Sequence, residues 1–166
     1  MTPGEIIERS SLLASREEVK AAVDRMAEQV NAHYGDRPIV LLIVMTGAVM
    51  PAAWLAARLR MPVQMDFIHA TRYSGATKGG EIEFRVPPRL NLQDEHVLIV
   101  DDIYDIGLTL QMIEKYCVAR GAASVNSAVL VRKIHDRETT GSLPAFIGLE
   151  EEDKNIIGCG MDPYEH

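Results

Sequence analysis

Residues 97–110 read Val97-Leu98-Ile99-Val100-Asp101-Asp102-Ile103-Tyr104-Asp105-Ile106-Gly107-Leu108-Thr109-Leu110, and this stretch decides the fold. Four consecutive apolar residues fit a strand buried on both faces, the pattern of a parallel sheet. From Gly107 the pattern turns helical, with Leu108, Met112, Ile113, Tyr116 and Cys117 on roughly one side. Asp101, Asp102 and Asp105 therefore stand at the carboxyl end of a strand, where open α/β sheets bind ligands. Residues 105–109 enter the first turn of a helix, whose free backbone N–H groups attract anions.

Carboxylates repel a bare phosphate but suit the hydroxyls of a sugar, or a Mg²⁺ ion beside it. An acid pair, a third acid and a Gly/Thr turn thus fit a sugar phosphate, with hydroxyls on the acids and phosphate on the loop. A plain β-α turn with a capping aspartate is the simpler reading. One Asp suffices for a cap, however, and adjacent acids closing a buried strand are costly without a ligand or metal.

The stretch resembles the thirteen-residue phosphoribosyl-diphosphate (PRPP) signature of the type I phosphoribosyltransferases. That pattern is four hydrophobics, two acids, two further residues, then Asp-Thr-Gly-x-Thr. Val97–Thr109 follows it except at Ile106, where the family has Thr or Ser. The resemblance implies a type I phosphoribosyltransferase-like α/β fold, with a mostly parallel sheet flanked by helices and a small hood. It covers about residues 10–162 and is nearest to bacterial hypoxanthine or hypoxanthine-guanine enzymes.

Composition bounds the rest. The chain has 166 residues, enough for one domain spanning 1–166 with a substantial core. Its net charge of −7 argues against a general nucleic-acid or anionic-membrane binder. No run of about 18 apolar residues suggests a membrane span. Glu5, Glu8 and Arg9 interrupt the N-terminus, so no signal peptide is expected. Cys117 and Cys159 lack a CxxC spacing and fit free buried thiols in a reducing cytoplasm.

Outward from the centre, Ser15-Arg16-Glu17-Glu18 is a capping box. It opens a helix to about His33, with Val19, Ala22, Val23, Met26, Ala27 and Val30 as its apolar stripe. Ile39–Met45 is a second apolar strand, followed by Thr46-Gly47-Ala48 and a helix over Val49–Arg60. Thr46 and Gly47 fit a plain turn equally well as a pyrophosphate loop, the role the family gives this position. Pro62–Ala70 is a third strand, in which Val63, Met65 and Phe67 alternate with Gln64, Asp66 and Ile68. Residues 71–80 read either as a hairpin loop or, by resemblance, as a lid with Arg72 and Tyr73 over the diphosphate.

Beyond the central motif, Arg120-Gly121 caps a helix and Ser124–Val131 is another strand. It closes on Arg132-Lys133-Ile134-His135-Asp136-Arg137, read as a solvated charge cluster or as a reach into the cleft. The family places here a lysine that reads the oxygen of a 6-oxopurine. Lys133 fills that place, with Arg132 the alternative if the alignment slips by one. His135 has no partner visible in the sequence and receives no role. Phe146–Leu149 is a short strand, and 153–162 resembles the segment that closes over the purine. By that likeness Asn155 and Ile156 are purine-binding, and Asp162 joins Asp101 and Asp102 around Mg²⁺. Asn155 stands where the family has a stacking aromatic, and the chain stops at His166, short of an arginine-bearing tail.

The resemblance implies transfer of phosphoribose from PRPP to a 6-oxopurine, giving IMP or GMP and pyrophosphate. Asp101 and Asp102 would hold the ribose hydroxyls directly or through Mg²⁺, and Asp105 would be the general base. Asp105, Ile106, Gly107, Leu108 and Thr109 would cradle the 5′-phosphate. A homodimer or homotetramer is expected by likeness. Ile106, Asn155 and the short tail leave open a weak or regulatory PRPP- or nucleotide-binding homologue, or a transferase for another base.

Overall fold

Ser15 opens the first helix as the sequence predicts. Its hydroxyl accepts from the Glu18 N–H at 3.1 Å, and the Glu18 carboxylate accepts from the Ser15 N–H at 2.6 Å. Helix α1 (Arg16–Tyr34) buries Ala22, Val23, Met26, Ala27 and Val30. The computed structural model describes residues 4–5, 10–72 and 82–161. Among the described residues six strands follow one another as β1 (Ile39–Val44), β2 (Val63–Arg72), β3 (Ile82–Val86), β4 (His96–Tyr104), β5 (Ser124–Ile134) and β6 (Phe146–Glu152). Helix α2 (Val49–Ala56) lies between β1 and β2, and α3 (Leu108–Ala119) between β4 and β5.

The sheet order is β3-β2-β1-β4-β5-β6. Only the β2–β3 pair is antiparallel. This is the expected α/β architecture with a mostly parallel sheet. β1 is buried along its whole length, as a strand covered on both faces must be. A smaller cluster joins Leu13, Ile156, Cys159 and Met161 to Val23, Ile103, Leu130 and Val131. That cluster forms the base of the hood. Among the described residues no helix is long and apolar enough to cross a membrane.

The topology creates one privileged crevice. From β1 the sheet continues to β2 on one side and to β4 and β5 on the other, so the carboxyl ends of β1 and β4 flank a switch point. Pairing of β1 with β4 stops at Ile43–Val100, whereas β4 stays paired with β5 as far as Tyr104–Arg132. Residues 101–104 therefore overhang β1 and have a neighbouring strand on one side only.

Several sequence expectations need correction. The strand runs four residues beyond the apolar stretch that ends at Val100, because the β5 ladder continues, so Asp101 and Asp102 lie inside the carboxyl end of β4 and Asp105 just after it. Helix α3 buries Leu110, Ile113 and Cys117 and packs half-buried Tyr116 against the core, so Leu108 and Met112 are not its inner positions. Its start at Gly107 sets that rotation. Helix α2 ends at Ala56 rather than Arg60. There Arg58 turns to Asp24 and the Trp54 carbonyl, and the Arg60 N–H goes to Asn31. β5 runs on to Ile134, which makes Lys133 a strand residue. In β2 the buried residues are Asp66 and Ile68, while Met65 and Phe67 are exposed.

Candidate active site

The overhang of β4 places two carboxylates side by side. Asp101 and Asp102 are each 7% exposed. The Asp101 Oδ1 accepts from the Asp102 N–H at 2.9 Å, and the Asp102 Oδ1 accepts from the Ile103 N–H at 2.7 Å. Burial first, and then the charge of Asp102, pushes the Asp101 carboxyl well above the usual carboxylate range. Across the crevice, Thr46-Gly47 follows β1. The Met45–Thr46 peptide is cis. Gly47 lies against Asp102 so closely that a Cβ would collide with its carboxylate. Thr46 and Gly47 therefore share a cleft of about 390 Å³ with Asp101, Asp102 and residues 105–109.

The next turn presents backbone donors to the same cleft. Gly107 has φ of 84°, and a Cβ there would meet the Thr140 carbonyl and the Tyr104 hydroxyl. Among the described residues, the N–H groups of Ile106, Gly107, Leu108 and Thr109 meet no protein acceptor. Their carbonyl partners explain the orientation. The Asp105 carbonyl accepts from His135 Nε2 at 3.1 Å, and the Ile106 carbonyl accepts from the Thr140 N–H at 2.7 Å. In a trans peptide the N–H opposes the C=O. Tying these two carbonyls to the segment after β5 therefore turns the N–H groups of Ile106 and Gly107 the other way. An anion in the cleft would meet unpaired donors at a helix N-terminus.

Asp105 is the most heavily partnered of the three acids. Its Oδ1 lies 2.7 Å from Arg137 Nη2 and 2.9 Å from His135 Nε2, whereas its Oδ2 has only a 3.4 Å contact with Arg137 Nη1. Arg137 Nη2 also reaches Asp153 Oδ2 at 2.9 Å. His135, for which the sequence shows no partner, finds one in a loop 30 residues earlier, which no local pattern reveals.

Lys133 lines the acid cleft and is 6% exposed, with Nζ 3.7 Å from Asp153 Oδ1. Arg132 points the other way, to Glu150 at 2.9 Å. The reach into the cleft therefore belongs to Lys133. Asn155 and Ile156 do not join it. They line a second cavity of about 600 Å³ with residues 10–14 and Cys159. Ile156 is buried in the hood cluster and Asn155 is exposed. Arg72 closes β2, while Tyr73 and Asp162 fall outside the described residues. Sequence reasoning missed Arg85, which lines the acid cleft from β3, as well as Arg137 and Thr140.

No group of three metal-ligating side chains occurs among the described residues. Asp101 and Asp102 nonetheless suit a hard divalent cation. They supply only oxygen donors, face one cleft, and carry the mutual repulsion that a cation relieves.

Comparison with known proteins accords with this geometry. Residues 10–163 match the phosphoribosyl transferase domain. The hypoxanthine-guanine phosphoribosyltransferase of Crithidia fasciculata is 31% identical over 160 residues, covering 90% of this chain and 76% of that one. A hypoxanthine-guanine-xanthine phosphoribosyltransferase of Tritrichomonas foetus is 27% identical, covering 91% of this chain and 82% of its own. The crystal structure of a hypoxanthine-guanine phosphoribosyltransferase from Bacillus anthracis superposes with a TM-score of 0.84 at 25% identity, covering 92% and 89% of the two chains. A PRPP-type motif on the switch-point strand, a matching domain over nearly the whole chain and these relatives lead to one assignment: the chain belongs to the phosphoribosyl transferase family.

Proposed function

We propose that the protein is a purine-salvage enzyme that transfers the phosphoribosyl group of PRPP to hypoxanthine or guanine, giving IMP or GMP and pyrophosphate. One observation carries the reading. Two buried acids and a row of unpaired backbone donors line the same cleft as a buried lysine. Asp101 and Asp102 hold the ribose hydroxyls, and the donors of Ile106 to Thr109 take the 5′-phosphate with the Thr109 hydroxyl. Thr46 and Gly47 border the diphosphate, with Arg72 and Tyr73 as the lid. Lys133 donates to the purine oxygen from within the cleft, whereas Asn155 and Ile156 line the separate hood cavity and take no part in holding the base. Asp105 accepts the proton from the purine ring nitrogen. The sugar centre gains positive charge in the transition state, so nearby acids and exclusion of water favour it. Mg²⁺ held by Asp101, Asp102 and Asp162 would supply charge neutralisation for the departing diphosphate.

Both cysteines are free, and burial pushes the Cys117 thiol up to about 12, which suits an inert core thiol in a reducing cytoplasm. Met65, Phe67 and Val86 leave an exposed apolar face on β2 and β3, consistent with a homodimer or homotetramer.

The direct test supplies hypoxanthine, guanine, xanthine and adenine in turn with PRPP and Mg²⁺ and follows pyrophosphate. Release with hypoxanthine or guanine is expected. Silence with every base at high enzyme concentration would overturn the reading in favour of a binding protein. A second experiment concerns Ile106, which lines the cleft where the family has a hydroxyl. Ile106→Thr adds a donor beside a doubly charged phosphate. PRPP affinity should rise by at most about 1.5–3 kcal/mol, read by calorimetry. Equal or weaker binding, with the fold intact by circular dichroism, would remove Ile106 from the phosphate site.

A further inference from the structure

The proton-accepting role given to Asp105 leaves its two oxygens in unequal surroundings. His135 and Arg137 both approach Oδ1, and Oδ2 keeps one long contact. The His135 side chain is 6% exposed, so this contact is shielded from water. Its tautomer follows from a third contact. The Arg137 backbone N–H donates to His135 Nδ1 at 3.2 Å, which makes Nδ1 an acceptor. In a neutral imidazole the proton must then reside on Nε2. That N–H is directed at the Asp105 carbonyl at 3.1 Å, with Oδ1 2.9 Å from the same nitrogen. One imidazole thus holds both the main chain and the carboxylate of Asp105.

We propose that His135 is a positioning residue for the reaction: as the neutral Nε2–H tautomer it fixes Asp105 so that Oδ2 is the oxygen that takes the purine proton. The proposal rests on the reading of Asp105 as the base. Arg137 completes the arrangement by holding Oδ1 from the outer side while it bridges to Asp153. The charged groups that meet the imidazole are Asp105 before α3 and Arg137 on its own segment; Arg137 pairs with Asp153 after β6, which also faces Lys133 on β5. Apart from the Arg137 N–H two residues on, the contacts reach far along the sequence. A carboxylate free to rotate would spend part of its time with neither oxygen aligned, and misplacement of this kind costs rate rather than binding.

The test uses His135→Phe, which keeps a ring and removes the donor, and His135→Gln, whose amide places a donor near the Nε2 position. His135→Phe should lower kcat about 10–100-fold with an unchanged melting temperature, and the KM for PRPP should rise by less than kcat falls, because the Thr140 N–H still ties the Ile106 carbonyl. His135→Gln should recover most of the loss, which a merely structural role would not predict. In an Asp105→Asn background the Phe substitution should cost little more, because it acts through that carboxylate. A kcat for His135→Phe within twofold of the parent, or full additivity with Asp105→Asn, would overturn the proposal. Imidazole ¹⁵N spectra provide a readout independent of turnover. They should show neutral His135 protonated on Nε2, and a neutral ring protonated on Nδ1 would overturn the geometry. A parent protein that releases no pyrophosphate would instead sink the proposed reaction, while the spectra still decide the contact.

Discussion

Asp105→Asn is expected to slow turnover by about 10²–10⁴-fold while PRPP still binds, the range for loss of a general base. The neighbours make this substitution more severe than a change of charge. Arg137 and His135 both bring donors to Oδ1. An asparagine in this position turns its oxygen toward those two donors, as hydrogen bonding requires. Its NH₂ group then occupies the place of Oδ2 and presents a donor where the purine proton must arrive. Single-turnover kinetics with saturating PRPP, beside calorimetric PRPP binding, separates the effects. If kcat holds and PRPP affinity collapses instead, Asp105 is a sugar or metal ligand and the base lies elsewhere.

The parts of this site that the sequence announced share one property: their partners are local. The acids follow an uninterrupted apolar strand, the donors follow the acids, and Ser15 and Glu18 cap one another three residues apart. Topology then brings Thr46 and Gly47 to the acids because β1 and β4 are neighbours. The misses depend on distant contacts. Period-2 alternation in β2 separates Met65 and Phe67 from Asp66 and Ile68 without saying which set faces inward. The structure buries Asp66 because its carboxylate takes the N–H groups of Phe67, Arg89 and Leu90 at 2.7–2.8 Å. A carboxylate so satisfied tolerates burial, and no pattern within the strand reveals two donors from residues 89–90. His135 and Arg137 belong to the same class. Their segment reads as a solvated charge cluster or as a reach into the cleft, and in the fold they meet an acid 30 and 32 residues away. Helix α3 was misread by rotation alone. Cleft-facing Leu108 resembles a core position until the cap at Gly107 fixes which side meets the sheet.

Asp101→Asn should move activity and stability in opposite directions. The Asp101 carboxyl is raised well above its ordinary value by burial and by the adjacent Asp102 charge. The sign follows from proton linkage. A carboxyl that binds its proton more tightly when folded adds stability below the ordinary carboxylate range. That contribution is lost as pH rises through the raised value, so ligand-free protein at neutral pH bears the cost of an ionisable group between a buried strand and a second acid. Asparagine keeps the acceptor for the Asp102 N–H and carries no charge. Relief of about 0.5–2 kcal/mol, typical of a stabilising replacement at a strained site, would raise the melting temperature by roughly 1–8 °C in a chain of this size. The gain should shrink toward acid pH, where the parent is already protonated. It should shrink also with PRPP and Mg²⁺ present, because ligands that bind the folded parent stabilise it by mass action. Activity should fall at least tenfold, since a charge-assisted hydrogen bond to a ribose hydroxyl or cation is worth about 1.5–3 kcal/mol. Thermal unfolding of both proteins over a pH series, with and without ligands, reads all of this. A lower melting temperature for ligand-free Asp101→Asn at neutral pH would mean that the buried acid pair stabilises the fold on its own account, and the case for its being held in place by its ligand would fail.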